Sequence, residues 1–167
     1  MLALLVAVLF AGSLWAQVPE GYVDLGLPSG TLWKASNETG HYDYDGAIEA
    51  FGKSVPTREQ WEELKEHCWW VWNEEDETTA AVVGENGNFI LLPAEGFFQP
   101  PDPDSFIKED GKIVNEVSGY YWSRTPGDHG TAWYLYFNYY DEDYDKKVKV
   151  IRVVQSRGHS VRLVKSK

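Results

Sequence analysis

The spacing of apolar and polar positions predicts one main helix. Thr57 precedes Gln60 by three residues, a pattern typical of a capping box at the start of a helix. Trp61, Leu64 and Cys68 then recur at the spacing of one helical face. We therefore predict a helix that begins after Thr57 and buries this face, and we interpret Cys68 as a small buried hydrophobic residue.

Short apolar runs over the rest of the chain predict antiparallel strands. A hairpin is expected between Tyr22 and Trp33, around a Pro-Ser-Gly turn. A second hairpin is indicated by Asn86-Gly87, which separates two apolar runs. Few helices and many antiparallel strands indicate the α+β class. Further strands are predicted at 69–72, 120–124, 133–139, 147–154 and 160–164, and one short helical turn is predicted at 47–51.

The first residues of the chain, Met1 to Ala16, are uncharged and mostly apolar. A stretch of this length is too short to span a ~30 Å hydrocarbon core comfortably as a helix, and it is typical of the apolar region of a signal peptide. We predict an exported protein, in the periplasm, on the cell surface or secreted, without a membrane span after signal cleavage. The alternatives are an uncleaved anchor and a mis-assigned start codon. Residues 17–167 have the size of one domain.

The net charge of the chain and the spacing of its acidic residues and histidines limit which ligands we expect. A net charge of -11 argues against nucleic acid, which needs clustered cations. Asp141, Asp143 and Asp145 have the spacing that opens a calcium loop, but Lys146 stands where that loop needs glycine, so we interpret them as a solvated acidic face. The four histidines share no metal-ligand spacing. We therefore predict neither metal nor cofactor.

The C-terminal third of the chain is unusually rich in aromatic residues. Ten of the 25 residues from Tyr120 to Tyr144 are Tyr, Trp or Phe. Alternation assigns Trp133, Leu135 and Phe137 to the core. Since aromatic rings supply contact area at low entropic cost, the surplus suggests a recognition surface. Its predicted members are the tyrosines expected to be exposed, Tyr121, Tyr139, Tyr140 and Tyr144, and the polar residues expected beside them, Asn138, Asp141, Asp143 and Arg152.

Blocks of sequence that occur in the same order resemble one known family, and they span nearly all of the chain after residue 16. They are Tyr22 to Trp33; Pro56-Thr57 with Trp61, Leu64, Cys68, Trp70 and Trp72; Gly84 with Asn86 to Asn88 and Ile90 to Ala94 with Gly96; and Gly119 to Ser123, Ala132 with Tyr134 to Phe137, and Gly158 with Ser160 to Arg162. These blocks resemble the Fibrobacter succinogenes major paralogous domain family, common among exported proteins of Bacteroidota.

The resemblance implies a C-type-lectin-like fold and no catalytic residues. It also implies kinship with formylglycine-generating enzymes and with the variable binding proteins of diversity-generating retroelements, whose ligand contacts lie in the equivalent C-terminal strands. The chain departs from the family between Trp33 and Pro56, where the usual Tyr-Phe-Ala-Trp-Gly-Glu element is missing.

Together, these features predict a non-catalytic exported module that binds a protein or a glycan through its C-terminal aromatic and acidic surface. The alternative is a structural subunit of a cell-surface assembly, and the sequence does not indicate an oligomeric state. A formylglycine-generating enzyme is disfavoured, because the copper chemistry that this resemblance implies needs two cysteine thiolates and Cys68 is the single cysteine.

Overall fold

The computed structural model describes residues 18–72, 75, 78–102, 110–141 and 147–167. The predicted signal segment and the predicted site residues Asp143 and Tyr144 lie outside these ranges. The described part combines two α-helices with short antiparallel strands, which confirms the α+β class. In chain order, the elements are β1 (Tyr22–Asp24), β2 (Leu32–Lys34), α1 (Tyr44–Phe51), α2 (Arg58–His67), β3 (Trp69–Trp72), β4 (Thr79–Val83), β5 (Phe89–Pro93), β6 (Phe97–Gln99), β7 (Lys112–Val114), β8 (Ser118–Pro126), β9 (Thr131–Asn138), β10 (Val148–Val154) and β11 (Val164–Lys165).

The described strands form small sheets with the orders β1-β2-β11, β3-β4-β5, β6-β7 and β8-β9-β10. The β8-β9-β10 sheet has the longest strands, and helix α2 packs against it. Both predicted hairpins are present, as the β1-β2 pair and the β4-β5 pair. Among the described helices, none combines the length and the apolar character needed to cross a membrane.

Helix α2 begins at the predicted capping box. The Thr57 hydroxyl accepts a hydrogen bond from the Gln60 amide at 3.2 Å, and the Gln60 side chain accepts one from the Thr57 amide at 2.9 Å. Trp61 and Leu64 are fully buried, and the Trp61 indole donates to the Trp122 carbonyl at 3.1 Å. Cys68 is buried as predicted, and burial raises the pKa of its thiol to about 11. The helix is thereby fixed to strand β8.

The β8-β9-β10 sheet contributes side chains to two separate hydrophobic clusters. Leu135 and Phe137 are buried in the cluster that includes α2, as predicted, whereas Trp133 is only partly buried. Ala132 and Tyr134 point to the other side and are buried in a second cluster under α1. Strand β9 therefore has buried side chains on both of its faces.

The structure departs from the predicted elements in three places. Helix α1 is longer than the predicted turn because the Asp43 side chain caps it, accepting from the Gly46 amide at 2.8 Å. Strands β6 and β7 pair where the sequence predicted none. The strand predicted at 160–164 is reduced to β11, since Ser160 instead exchanges backbone hydrogen bonds with Tyr120 and Trp122 of β8.

Candidate functional site

Two of the predicted tyrosines form a compact surface at the end of β9. Tyr140 is 55% exposed, and its ring meets the Tyr139 ring edge-on, with 5.4 Å between centroids. The Tyr139 ring also contacts Trp72 at 6.0 Å between centroids, and the Lys147 ammonium lies 5.0 Å from its centroid. The next residue, Asp141, is partly exposed. We call Tyr139, Tyr140 and Asp141 the tyrosine surface.

Asn138 positions the tyrosine surface through its side-chain amide. Its Nδ2 donates to Ser118 Oγ at 3.0 Å, and its Oδ1 accepts from the Tyr140 amide at 2.8 Å. The second bond closes a turn of the kind that asparagine favours, because its side chain reaches the backbone two residues on. Asn138 therefore uses its side chain to fix the backbone turn that carries Tyr139 and Tyr140.

Arg152 lies away from the tyrosine surface. It pairs in register with Trp133, whereas Val148 pairs with Phe137, so the two pairs are four residues apart along the strands. At about 3.4 Å per residue, this is a separation of about 14 Å. The Arg152 guanidinium contacts Asp128 at 2.9 Å and lies 5.3 Å from the Trp133 ring. The structure therefore does not unite Arg152 with the other predicted residues.

The prediction that Tyr121 is exposed is wrong. Its side chain is fully buried, and its hydroxyl donates to the Pro93 carbonyl at 2.6 Å and accepts from Asn37 Nδ2 at 2.9 Å. Burial raises the pKa of this hydroxyl, although the contact with Asn37 opposes the shift. The error arises because β8 is covered on both faces, so its successive residues Tyr120, Tyr121 and Trp122 are all buried.

A pocket that the sequence did not predict is lined by Asn37, whose side chain donates to the buried Tyr121 hydroxyl. The pocket has a volume of about 440 Å³. Its walls are the segment 35–40 after β2, Leu91 and Pro93 of β5, and Glu95 and Arg162. The lining thus combines polar and charged residues with the apolar residues Leu91 and Pro93, and small-molecule sites also combine an apolar lining with a few placed polar groups.

Arg162 is the most unusual residue of this pocket, because its guanidinium is almost fully buried. Its Nε donates to Asn37 Oδ1 at 2.8 Å, its Nη1 donates to the Lys34 carbonyl at 2.8 Å, and its Nη2 donates to the Leu91 carbonyl. Desolvation lowers the pKa of Arg162, while Tyr121 opposes the shift. An arginine remains protonated in proteins, so the group brings a buried positive charge to the pocket.

Glu95 offsets this positive charge indirectly, through the side chain of Asn37. Its Oε2 accepts from Asn37 Nδ2 at 3.0 Å and from Ser160 Oγ at 3.0 Å. Asn37 therefore bridges Glu95 and Arg162, with its oxygen on the arginine and its nitrogen on the carboxylate. The sequence signal was weak, because these residues are 58 and 125 positions from Asn37 along the chain.

A third feature is the outer face of the β3-β4-β5 sheet, which is entirely apolar over two rows of residues. Inner-face neighbours such as Trp70, Val82 and Ile90 are buried, whereas Trp69 is 60% exposed and Phe89 is 55% exposed. We call the outer residues the apolar sheet face; in register they are Trp69, Val83 and Phe89 in one row and Val71, Ala81 and Leu91 in the other.

Among the described residues, no group of three or more His, Cys, Asp or Glu side chains is placed to hold a metal ion. No family model matches this chain, and neither a curated protein nor a solved structure matches it significantly.

Proposed function

We propose that this chain is an exported, non-catalytic recognition domain that binds a protein or glycan ligand through the tyrosine surface. We also propose that it belongs to the Fibrobacter succinogenes major paralogous domain family and has a C-type-lectin-like fold. The α+β architecture of short antiparallel strands around two helices agrees with this proposal.

The observation that carries the proposal is the fixed exposure of the tyrosine pair. Tyr140 presents more than half of its surface to solvent, while Tyr139 contacts both Trp72 and Lys147. Asn138 fixes the backbone turn that carries both tyrosines. Binding costs little conformational entropy when the rings are already held in place. Aromatic residues also dominate the binding energy of recognition sites. A flat ring suits either a sugar face or an apolar side chain of a protein.

The non-catalytic part of the proposal is supported by the state of Cys68. The thiolate is the reactive and metal-binding form of cysteine, and burial raises the pKa of this thiol to about 11. Its side chain is buried among the apolar residues of the first cluster. Cys68 is therefore suited to packing rather than to nucleophilic or copper chemistry.

The experiment that tests the proposal is a binding screen with glycan arrays and surface proteins. The wild-type protein is compared with a Tyr139→Ala, Tyr140→Ala double variant, and Phe89→Ala serves as a control that removes an exposed ring elsewhere. We expect a ligand that binds the wild type and the control but not the double variant. A ligand that binds all three proteins equally would refute the assignment of the surface.

The second candidate function is a structural subunit, and the apolar sheet face favours it. Taking about 200 Å² as the area of an aromatic side chain, Trp69 and Phe89 alone expose roughly 230 Å². Val71 and Leu91 are about half exposed and enlarge this patch, which brings it to the few hundred Å² that monomeric proteins rarely exceed. We propose that a second copy of this chain covers the face, because its six residues carry no charge while the whole chain carries -11.

Light scattering of the wild type and of a Trp69→Lys, Phe89→Lys variant tests this second candidate. We expect a dimer that the two lysines dissociate, since burying unpaired charges in an apolar contact is costly. A wild-type protein that stays monomeric at high concentration would remove the second candidate and leave the recognition proposal intact.

A further inference from the structure

We propose that the pocket beside Arg162 and Glu95 binds one neutral sugar unit. This inference goes beyond the tyrosine surface, because none of the residues of that surface lines the pocket. The pocket volume of about 440 Å³ lies within the range of about 300–1,000 Å³ that is typical of small-molecule sites.

The hydrogen-bonding groups of the pocket are preorganised and partly unused. Both N–H groups of Asn37 are engaged, because they donate to Glu95 and Tyr121, and its oxygen accepts from Arg162. A guanidinium has five N–H groups, and three of those of Arg162 have acceptors among the described residues. The Tyr121 hydroxyl is a further hydrogen-bond partner of the guanidinium. One N–H group therefore remains for a ligand hydroxyl, and leaving a buried donor unsatisfied costs about 1–3 kcal/mol.

Glu95 supplies the complementary acceptor. Both of its side-chain hydrogen bonds within the described residues are made by Oε2, so Oε1 is available. A hydroxyl group can donate and accept at once. One hydroxyl of a ligand can thus donate to Glu95 Oε1 while a neighbouring hydroxyl accepts from Arg162. Two adjacent hydroxyls of this kind are the common feature of sugar rings.

The charge balance of the walls favours a neutral ligand. The positive charge of Arg162 is offset by Glu95 through their shared partner Asn37. At the rim, Glu38 forms an ion pair with Lys34. An anion would add an uncompensated charge beside Glu95, and a cation would add one beside Arg162, so either is disfavoured in a partly desolvated site.

The remaining wall suits the apolar side of a sugar ring. Leu91 and Pro93 belong to β5 and supply apolar lining beside the polar groups, since the Leu91 carbonyl accepts from Arg162. Leu91 is also the last residue in one row of the apolar sheet face. A ring with hydroxyls at its edge and C–H groups on its face matches this pairing of polar and apolar walls.

The test measures binding of free glucose, galactose, mannose and N-acetylglucosamine to the purified protein by saturation-transfer NMR and calorimetry. Glucuronate and galacturonate serve as matched anionic probes. Two variants disable the pocket: Glu95→Gln turns the free acceptor into a donor, and Ser36→Phe places a bulky ring at an exposed position of its wall. Glu85→Gln removes an exposed carboxylate elsewhere and is the matched control.

We expect at least one neutral sugar to bind below about 10 mM, more tightly than its uronate, with a tenfold or greater loss in both pocket variants and none in the control. The proposal is overturned if the folded wild type binds none of the sugars, if the uronates bind more tightly, or if both pocket variants bind as well as the wild type. The Tyr139→Ala, Tyr140→Ala variant is expected to bind normally, which separates this site from the tyrosine surface.

Discussion

Acid should destabilise this protein through one buried histidine, His159. Its ring is fully buried, stacked on Trp122 at 4.1 Å and edge-on to Tyr134 at 4.7 Å. Neither ring nitrogen has a hydrogen-bond partner among the described residues. Desolvation lowers the pKa of His159 well below its usual value, and the charges of Arg157 and His41 lower it further.

The size of the effect follows from proton linkage. In the unfolded chain, this histidine takes up a proton near pH 6.5, whereas in the folded protein it stays neutral to a much lower pH. The unfolded state therefore binds more protons, and the free energy of unfolding falls as the pH drops below 6.5. The loss approaches about 1.4 kcal/mol per pH unit, or about 2 to 3 kcal/mol between pH 6.5 and 4.5.

Urea unfolding at several pH values between 7.5 and 4.5 measures this loss. This pH range excludes the contribution of Asp24 to the free energy of unfolding. The contact with Lys167 lowers the pKa of the Asp24 carboxyl, so the stability that this carboxyl contributes is lost only below about pH 4. His159→Phe removes the titrating group. It should therefore reduce the slope of the free energy of unfolding against pH by the equivalent of about one proton. His67→Gln removes an exposed histidine and is the matched control. Equal pH profiles for the wild type and His159→Phe would refute the reasoning.

Three further predictions concern stability and are checked by the same unfolding assay at neutral pH. Thr57→Ala removes the capping box and should cost about 1 kcal/mol, and no loss would contradict the role of the box. Gly119→Ala would place a Cβ atom 2.1 Å from the Phe137 ring, so we expect a loss of about 1–3 kcal/mol; unchanged stability would show that the ring moves freely. Arg162→Met leaves three acceptors without their donor, one of them on Asn37, and should cost about 3 kcal/mol or more; a stable variant would show that the network is dispensable.

Local signals in the sequence predicted the elements that depend on neighbouring residues. The capping box of Thr57 and Gln60 and the hairpin at Asn86-Gly87 are confirmed because their hydrogen bonds join residues a few positions apart. The burial of Leu135 and Phe137 followed from the period of a strand. These features do not depend on the overall packing.

Features that depend on packing between distant segments could not be predicted in this way. The alternation along β8 gave no warning that Tyr121 is covered, because burial on both sides depends on which elements pack there. The pocket joins Asn37 to Glu95 and Arg162, and no short motif links them. Conversely, β3 and β5 carry apolar residues on both faces, yet one face of their sheet is exposed, because exposure depends on which other elements cover the sheet.

The central claim is that the tyrosine surface recognises a ligand. The most direct test is a calorimetric titration of the ligand found by the screen against the wild type, Tyr140→Ala and Phe89→Ala. Because Tyr140 is the most exposed ring of the surface, we predict that its loss weakens binding by at least tenfold, a cost of about 1.4 kcal/mol, while Phe89→Ala binds normally. Equal affinities for the wild type and Tyr140→Ala would contradict the account.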